Sequence, residues 1–363
     1  MKFIIQKEKI EKTINTINSV ISSKTTLPIL AYVLIEARGR VKLTATDLEV
    51  GIRTEIDCEI SREGSATFPG RKLAEIIREL PEGNLQIEAE NTVITLSCGK
   101  AFFKVYGLPP TDFPLLPEIT PENVFSISQS QLKEMFTKTM FAMSEEEARY
   151  VLNGIYMVSG ENSLKAVATD GRRLAVFELI TPEKLQLPGI IIPAKAVMTL
   201  QKILEDNENP VQIHYQQNQI LFKLDSTVIV SRLIEGNFPN YEQVIPSNCP
   251  RILQVATQDL IQAIRRVMLL ASERSHAVRF SITKDEIQIF SSTPEIGEAR
   301  DHLGGQFQGE EMEVTFNGRY LLDALRNIDS EYVRLELSDP LGPGVIRPPE
   351  KKDYLCVIMP MRI

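Results

Sequence analysis

Residues 66–80 read ATFPGRKLAEIIREL, residues 190–204 read IIIPAKAVMTLQKIL, and residues 314–328 read VTFNGRYLLDALRNI. Each stretch is a short β-rich run, a turn, a basic residue and an amphipathic helix. Arg71, Lys195 and Arg319 hold the same place, 124 residues apart each time. A second element returns at nearly that interval: LTATDLEVGIR at 43–53, AVATDGRRLAV at 166–176 and a diverged QIFSSTPEIGEAR at 288–300. A third runs VYGLPPTDFPLLPE at 105–118 and RLIEGNFPNYEQVIP at 232–246, and its last copy is the shortened YLCVIMPMRI.

Every copy also opens with a helix. Ile10, Ile14, Ile17 and Ile21 share one face, as do Leu132, Met135, Phe136 and Met140, and again Leu260, Ile261, Ile264 and Met268. Spacings of three and four place one apolar stripe on each helix. Alternating runs such as 85–96, 211–224 and 332–337 read as strands. The period is several times the ~20–50 residues of a solenoid unit, so each copy is a domain with its own core. Pro114, Pro117 and Pro121, then Pro246 and Pro250, interrupt regular structure between copies. We therefore expect an α+β protein of three similar domains, at 1–120, 121–249 and 250–363.

A chain of 363 residues with 43% hydrophobic and 24% charged residues is ordinary for a globular protein of more than one domain. Cys58, Cys98, Cys249 and Cys356 are widely and irregularly spaced, as expected of thiols in a reducing compartment. The opening MKFIIQKEKIEK has no apolar run before a cleavage site, and no stretch is long enough to span a bilayer. These features lead to the expectation of a cytoplasmic protein without a membrane partner.

The net charge of −8 at first opposes a nucleic-acid partner. The charge is segregated, however. The helical spans 7–24, 70–80, 129–143, 194–204, 257–271 and 318–328 hold fifteen Lys and Arg against seven Asp and Glu, so they carry +8 and leave −16 for the rest. An ordinary solvated face explains any one such helix. Six leaning the same way fit a lining that holds a polyanion through phosphates, without reading bases.

Catalytic patterns are missing. There is no phosphate-binding P-loop and no dinucleotide fingerprint. His214, His276 and His302 lie apart from any Cys or second His at ligand spacing, and no nucleophile elbow is present. We expect no catalytic residue, no metal and no cofactor. Asp47 and Asp170, each preceded by Thr, admit two readings: an acid of a hydrolytic site, or a carboxylate closing a strand turn on backbone N–H groups.

Met1–Lys2–Phe3, TLPIL at 26–30, TDLE at 46–49, RYVLNG at 149–154, ATDGRRLAV at 168–176, NFPNY at 237–241 and VIMPMRI at 357–363 together resemble the bacterial DNA polymerase III beta subunits, the sliding-clamp family. The resemblance covers the whole chain. It implies three domains of the DNA clamp fold, with helices lining a ring, antiparallel sheets outside and two subunits joined head to tail. It also implies a non-catalytic processivity factor that encircles double-stranded DNA. Its partners would be the polymerase III alpha subunit, the clamp loader and other proteins bearing a clamp-binding motif.

Carried over by position, the partner-peptide pocket would comprise Leu152, Thr169, Gly171, Arg172, Arg173, Leu174, Pro239, Val244, Val357, Met359, Pro360, Met361 and Arg362. Arg172 stands where the family usually has His. DNA contact would involve Lys24, Arg149 and Tyr150, with Val151 in place of a frequent Tyr. The charge pattern adds Lys72, Lys195 and Arg319. The subunit contact would set Lys100, Phe103 and Val105 against Leu269, Leu270, Glu295 and Glu298. Two other readings stay open at this level: a hydrolase using Asp47 or Asp170, and a scaffold of repeated domains that polymerises without closing.

Overall fold

Alternation decides the strands. In NLQIEAE at 84–90, Leu85, Ile87 and Ala89 are buried while the residues between them face outward. The computed structural model describes residues 1–21, 25, 27–117, 124–182, 184–216, 218–284, 286–294 and 296–362.

The first repeat forms β1 (Lys2–Gln6), α1 (Lys7–Ile17), β2 (Tyr32–Arg38), β3 (Arg40–Thr46), β4 (Val50–Ile56), β5 (Glu59–Arg62), β6 (Gly64–Pro69), α2 (Gly70–Glu79), β7 (Asn84–Glu90), β8 (Val93–Cys98) and β9 (Ala101–Tyr106). The second forms β10 (Val124–Ser128), α3 (Gln129–Thr139), β11 (Gly154–Ser159), β12 (Ser163–Thr169), β13 (Arg173–Ile180), β14 (Ile190–Pro193), α4 (Ala194–Ile203), β15 (Pro210–Gln216), β16 (Gln219–Leu224) and β17 (Thr227–Arg232). The third forms β18 (Arg251–Ala256), α5 (Thr257–Met268), β19 (Ala277–Ile282), β20 (Ile287–Thr293), β21 (Gly297–Leu303), β22 (Gly305–Gln308), β23 (Met312–Asn317), α6 (Gly318–Leu325), β24 (Tyr332–Leu337), β25 (Gly344–Arg347) and β26 (Tyr354–Ile358).

The chain gathers into two compact units. Residues 1–133 and 195–233 make one, and residues 134–194 and 234–363 the other. The first unit holds a five-stranded sheet, β5-β1-β7-β8-β9, and an eight-stranded sheet, β10-β15-β16-β17-β4-β3-β2-β6. The eight strands come from two repeats, joined where β17 runs antiparallel to β4 with Val230 opposite Gly51. The second unit holds a nine-stranded sheet, β14-β11-β12-β13-β26-β25-β24-β18-β22, and a four-stranded sheet, β21-β20-β19-β23. Here β13 meets β26, again antiparallel, with Leu174 opposite Val357. In both junctions the fourth strand of one repeat pairs with the last strand of the next.

The helices pack as their stripes require. In the first unit Ile10, Ile14 and Ile17 of α1 are buried with Leu73, Ile76 and Ile77 of α2. In the second, Leu260, Ile261, Ile264 and Val267 of α5 are buried with Leu321, Leu322 and Leu325 of α6. Each such side chain contributes ~1.5–3 kcal/mol by leaving water. The helices end earlier than their apolar pattern. After Ile17 the chain closes i to i+3 bonds, Ser19 N to Thr16 O and Val20 N to Ile17 O, so Val20 and Ile21 are buried from a turn. Leu269, Leu270 and Ala271 tighten in the same way after α5.

The Thr-Asp pairs are turns. Asp47 Oδ1 accepts from the N–H groups of Glu49 and Val50 at 3.0 and 2.8 Å, and Asp170 Oδ1 accepts from those of Arg172 and Arg173 at 2.8 and 3.0 Å. Thr46 Oγ1 donates to Val50 O and accepts from Leu48 N, as Thr169 Oγ1 donates to Arg173 O and accepts from Gly171 N. Leu48 and Gly171 both take left-handed backbone, with φ of 78° and 83°. Replacing Asp47 or Asp170 by Ala removes an acceptor of two N–H groups, so each change is expected to lower stability by about 1–3 kcal/mol. Equilibrium denaturation checks this, and unchanged midpoints in both variants would contradict the turn role.

Candidate peptide pocket and basic helices

The β12–β13 hairpin and β26 build an apolar floor in the second unit. Val167, Leu174, Val176, Val345 and Val357 are buried together, and Tyr156, Phe238, Tyr241, Ile245 and Leu355 pack on them half-buried. Tyr156 and Phe238 stack with ring centroids 4.8 Å apart and planes within 6°. Burial pushes the Tyr241 hydroxyl up to about 12. The turn Tyr241–Val244 follows Asn240, whose side chain accepts from Glu242 N, and it leaves Val244 exposed. Of the other residues expected in the pocket, Leu152 is buried, Thr169 is half-buried and spent on its turn, and Pro239 is exposed.

The tail is pinned to the same unit. Met359 N donates to Arg172 O at 2.9 Å and Met361 N to Thr315 O at 2.8 Å. These bonds hold Met359, Pro360, Met361 and Arg362 along a cavity of about 430 Å³, completed by Arg172, Arg274, Ser275, Asn317 and Tyr320. Arg274, Ser275, Asn317 and Tyr320 are absent from the sequence-derived set. Asn317 had one readable signal, since its side chain caps α6 by accepting from Arg319 N and Tyr320 N. That cap places Tyr320 at the cavity.

The three arginines near the turn do different work. Arg173 is a brace: its guanidinium pairs with Asp170 at 3.1 Å and Asp323 at 2.7 Å. It also lies 4.4 Å from the Tyr320 ring centroid and 5.3 Å from that of Phe141. Arg172 stays exposed at the cavity, 3.8 Å from Glu146, and the neighbouring Tyr320 hydroxyl, with Glu146, raises its guanidinium further. Arg149 folds back, donating to Asp170 O at 2.9 Å and pairing with Glu146 at 3.2 Å. Gly171 makes room for it, because a Cβ there would lie 2.6 Å from Arg149 Nη1. Tyr150 is 58% exposed.

The basic helices are partly self-neutralised. Lys72 pairs with Glu75 and Lys195 with Asp47. Lys7, Lys12, Lys133, Lys138, Arg266 and Arg326 are paired as well. Lys9, Arg71, Arg78, Lys202, Arg265 and Arg319 are exposed and form no ion pair among the described residues. Lys24 lies outside the described residues. Among those described, no three His, Cys, Asp or Glu side chains come together as metal ligands.

Two sheet edges are open. β9 ends the five-stranded sheet and β21 the four-stranded one. On β9, Phe103 and Val105 are half-buried, while Phe102 and Tyr106, which sequence reasoning passed over, are exposed. Lys100 is exposed in the turn before it. Leu269, Ile296 and Glu298 are exposed and Leu270 is half-buried in the other unit. Glu295 lies outside the described residues.

Comparison with known proteins agrees with this architecture. The family models of the DNA polymerase III beta subunit match in order: its N-terminal domain at residues 1–117, its central domain at 126–240 and its C-terminal domain at 242–362. The beta sliding clamp of Escherichia coli K12 is 32% identical over 366 residues, covering 100% of both chains. That of Chlamydia muridarum is 32% identical over 366 residues, covering 100% of this chain and 99% of the other. A sliding clamp from Bartonella birtlesii, solved bound to griselimycin, aligns with a TM-score of 0.97 at 35% identity and 100% coverage of each chain. The fold is thus the three-domain DNA clamp fold. The chain belongs to the DNA polymerase III beta subunit family.

Removing the Arg173 brace leaves Asp170 and Asp323 without their shared cation. Arg173→Ala is expected to cost about 3–5 kcal/mol. Arg172→Ala, at an exposed site, should change stability by less than about 0.5 kcal/mol. Thermal denaturation separates the two, and equal effects would contradict the division of roles.

Proposed function

We propose that this chain works as a non-catalytic DNA sliding clamp, closing with a second copy into a ring around duplex DNA and holding a polymerase there. The observation that carries the reading is the unused strand pair. Two junctions join a fourth strand to a last strand, β4 to β17 and β13 to β26, and the strands left over are β21 and β9. Open edges invite pairing, and the repeat names the partner: β9 of one copy beside β21 of another. Each copy offers both edges, so two copies close head to tail if the rotation suits. Lys100, Phe103, Val105 and the exposed Phe102 and Tyr106 would then meet Leu269, Leu270, Glu295 and Glu298.

Exposed cations on the helices supply the DNA contact. We assign it first to Lys9, Arg71, Lys202, Arg265 and Arg319, with Tyr150 and Lys24 as further contacts. Lys72, Lys195 and Arg149 are already paired and rank lower. Phosphate contacts of this kind permit sliding, and a closed ring needs no tight binding. Tethering raises the polymerase's effective concentration at the primer end. The pocket beside Val244, Met359 and Arg172 would take short apolar peptides from the polymerase alpha subunit, the clamp loader and other partners, with Met adapting its shape to each. Such work places the protein in the cytoplasm.

Three measurements test these assignments. The purified protein should sediment as a dimer and stay on closed circular DNA while running off linear DNA; a strict monomer lost equally from both would overturn the reading. Arg71→Glu, Lys202→Glu and Arg319→Glu together should weaken DNA association most at low salt, flattening the log K against log salt slope by about 0.9 per lost contact. Equal losses at all salt concentrations would contradict phosphate contact. Deleting residues 359–363 should abolish binding of polymerase-derived peptides and leave the dimer intact, and unchanged peptide affinity would remove the tail from the pocket.

A further inference from the structure

The turn at Thr169–Arg173 has a twin at Thr46–Val50, and the likeness extends into the strands. Thr46 pairs with Gly51 across β3–β4 as Thr169 pairs with Leu174 across β12–β13. Gly51 faces Val230 as Leu174 faces Val357. Position 51 is therefore the first unit's counterpart of the leucine at the centre of the peptide-pocket floor. It carries no side chain, and the space is taken from elsewhere. A Cβ on Gly51 would lie 2.2 Å from Leu116 Cδ2. Leu116 thus sits where the strand itself would otherwise place a leucine.

Leu116 arrives on the segment Phe113–Pro117, the shorter counterpart of the stretch 238–246 that walls the second unit's pocket. Phe113 is buried, and Leu115 is 93% exposed. A cavity of about 260 Å³ remains beside Leu116, bordered by Leu48, Glu49, Pro114, Leu115, Val230 and Arg232. Leu48 is 47% exposed at its edge. The arrangement is an apolar seat with a polar and basic margin, holding a leucine from a proline-flanked peptide.

We propose that the first unit contains a peptide seat of its own, deeper than that of the second unit because position 51 carries no side chain, which Leu116 keeps filled in cis. The ligand class is a short, extended, leucine-bearing peptide, for which Pro114–Pro117 is the built-in example. A segment tethered this closely acts at an effective concentration on the order of millimolar. A free peptide of micromolar affinity is then handicapped by about a thousandfold. The consequence is one accessible peptide site per chain, although the repeat builds the turn and strand pair twice. The proposal rests on the peptide-pocket reading of the second unit.

The test titrates a labelled peptide, TDFPLLPE, copying residues 111–118, into the full-length chain. Leu116→Ala should bind about one further equivalent per chain relative to wild type, the seat now being free of its cis competitor. Adding Gly51→Leu to that variant should abolish the extra equivalent, because the new side chain takes the space that Leu116 vacates. If Leu116→Ala does not fold by circular dichroism, Leu116→Val takes its place and should bind the further equivalent more weakly. No gain over wild type in the folded variant, or a gain that survives Gly51→Leu, overturns the proposal. The pocket reading is judged separately, from whether wild-type binding disappears on deleting residues 359–363.

Discussion

Everything in this chain hangs on satisfying the edge of a small sheet. Each repeat makes strands whose outermost backbone N–H and C=O groups would otherwise face solvent as a row, and such edges bind other strands. The repeats solve the problem for one another, through β17 on β4 and β26 on β13. This pairing draws the second repeat into both compact units, so the sheets do not respect the boundaries of the repeats. It also fixes the site. Leu174 and Val357 meet across such a junction, and the apolar floor grows around them. A chain of three repeats forms two junctions internally and leaves one fourth strand and one last strand unused.

Much of this was legible because repetition amplifies weak signals. No single amphipathic helix distinguishes one fold from another, but six in fixed order after short β-rich runs define a repeated α+β domain. The Thr-Asp turns were readable in chemical terms, since a carboxylate two and three residues ahead of exposed N–H groups has an obvious use. The helix ends were less legible. Val20, Ile21, Leu270 and Ala271 continue the apolar pattern in sequence, yet the chain passes through tighter turns there, where burial no longer requires helix.

Side-chain partnerships across the chain were not legible at all. Lys195 stands at the start of a basic helix in the sequence, and its ammonium is held by Asp47, 148 residues away. Arg173 matched the pocket by position, but it serves as a brace among Asp170, Asp323, Tyr320 and Phe141. Arg274 and Tyr320 reach the cavity from segments with no peptide-binding signature of their own. Counting charge by element gives the sign of a surface. Only the fold shows how much of that charge is consumed internally.

That distinction refines the account of a net acidic protein on DNA. If all the helical cations were free, a field of that strength would hold duplex DNA tightly and oppose sliding. The structure instead leaves scattered, unpaired cations on α1, α2, α4, α5 and α6, and both of those on α3 are engaged with carboxylates. Thin, distributed positive charge suits a contact that must be made and broken at each step. In the proposed ring, retention would then come from topology, which returns the requirement to the strand edges and the closure of the unused pair.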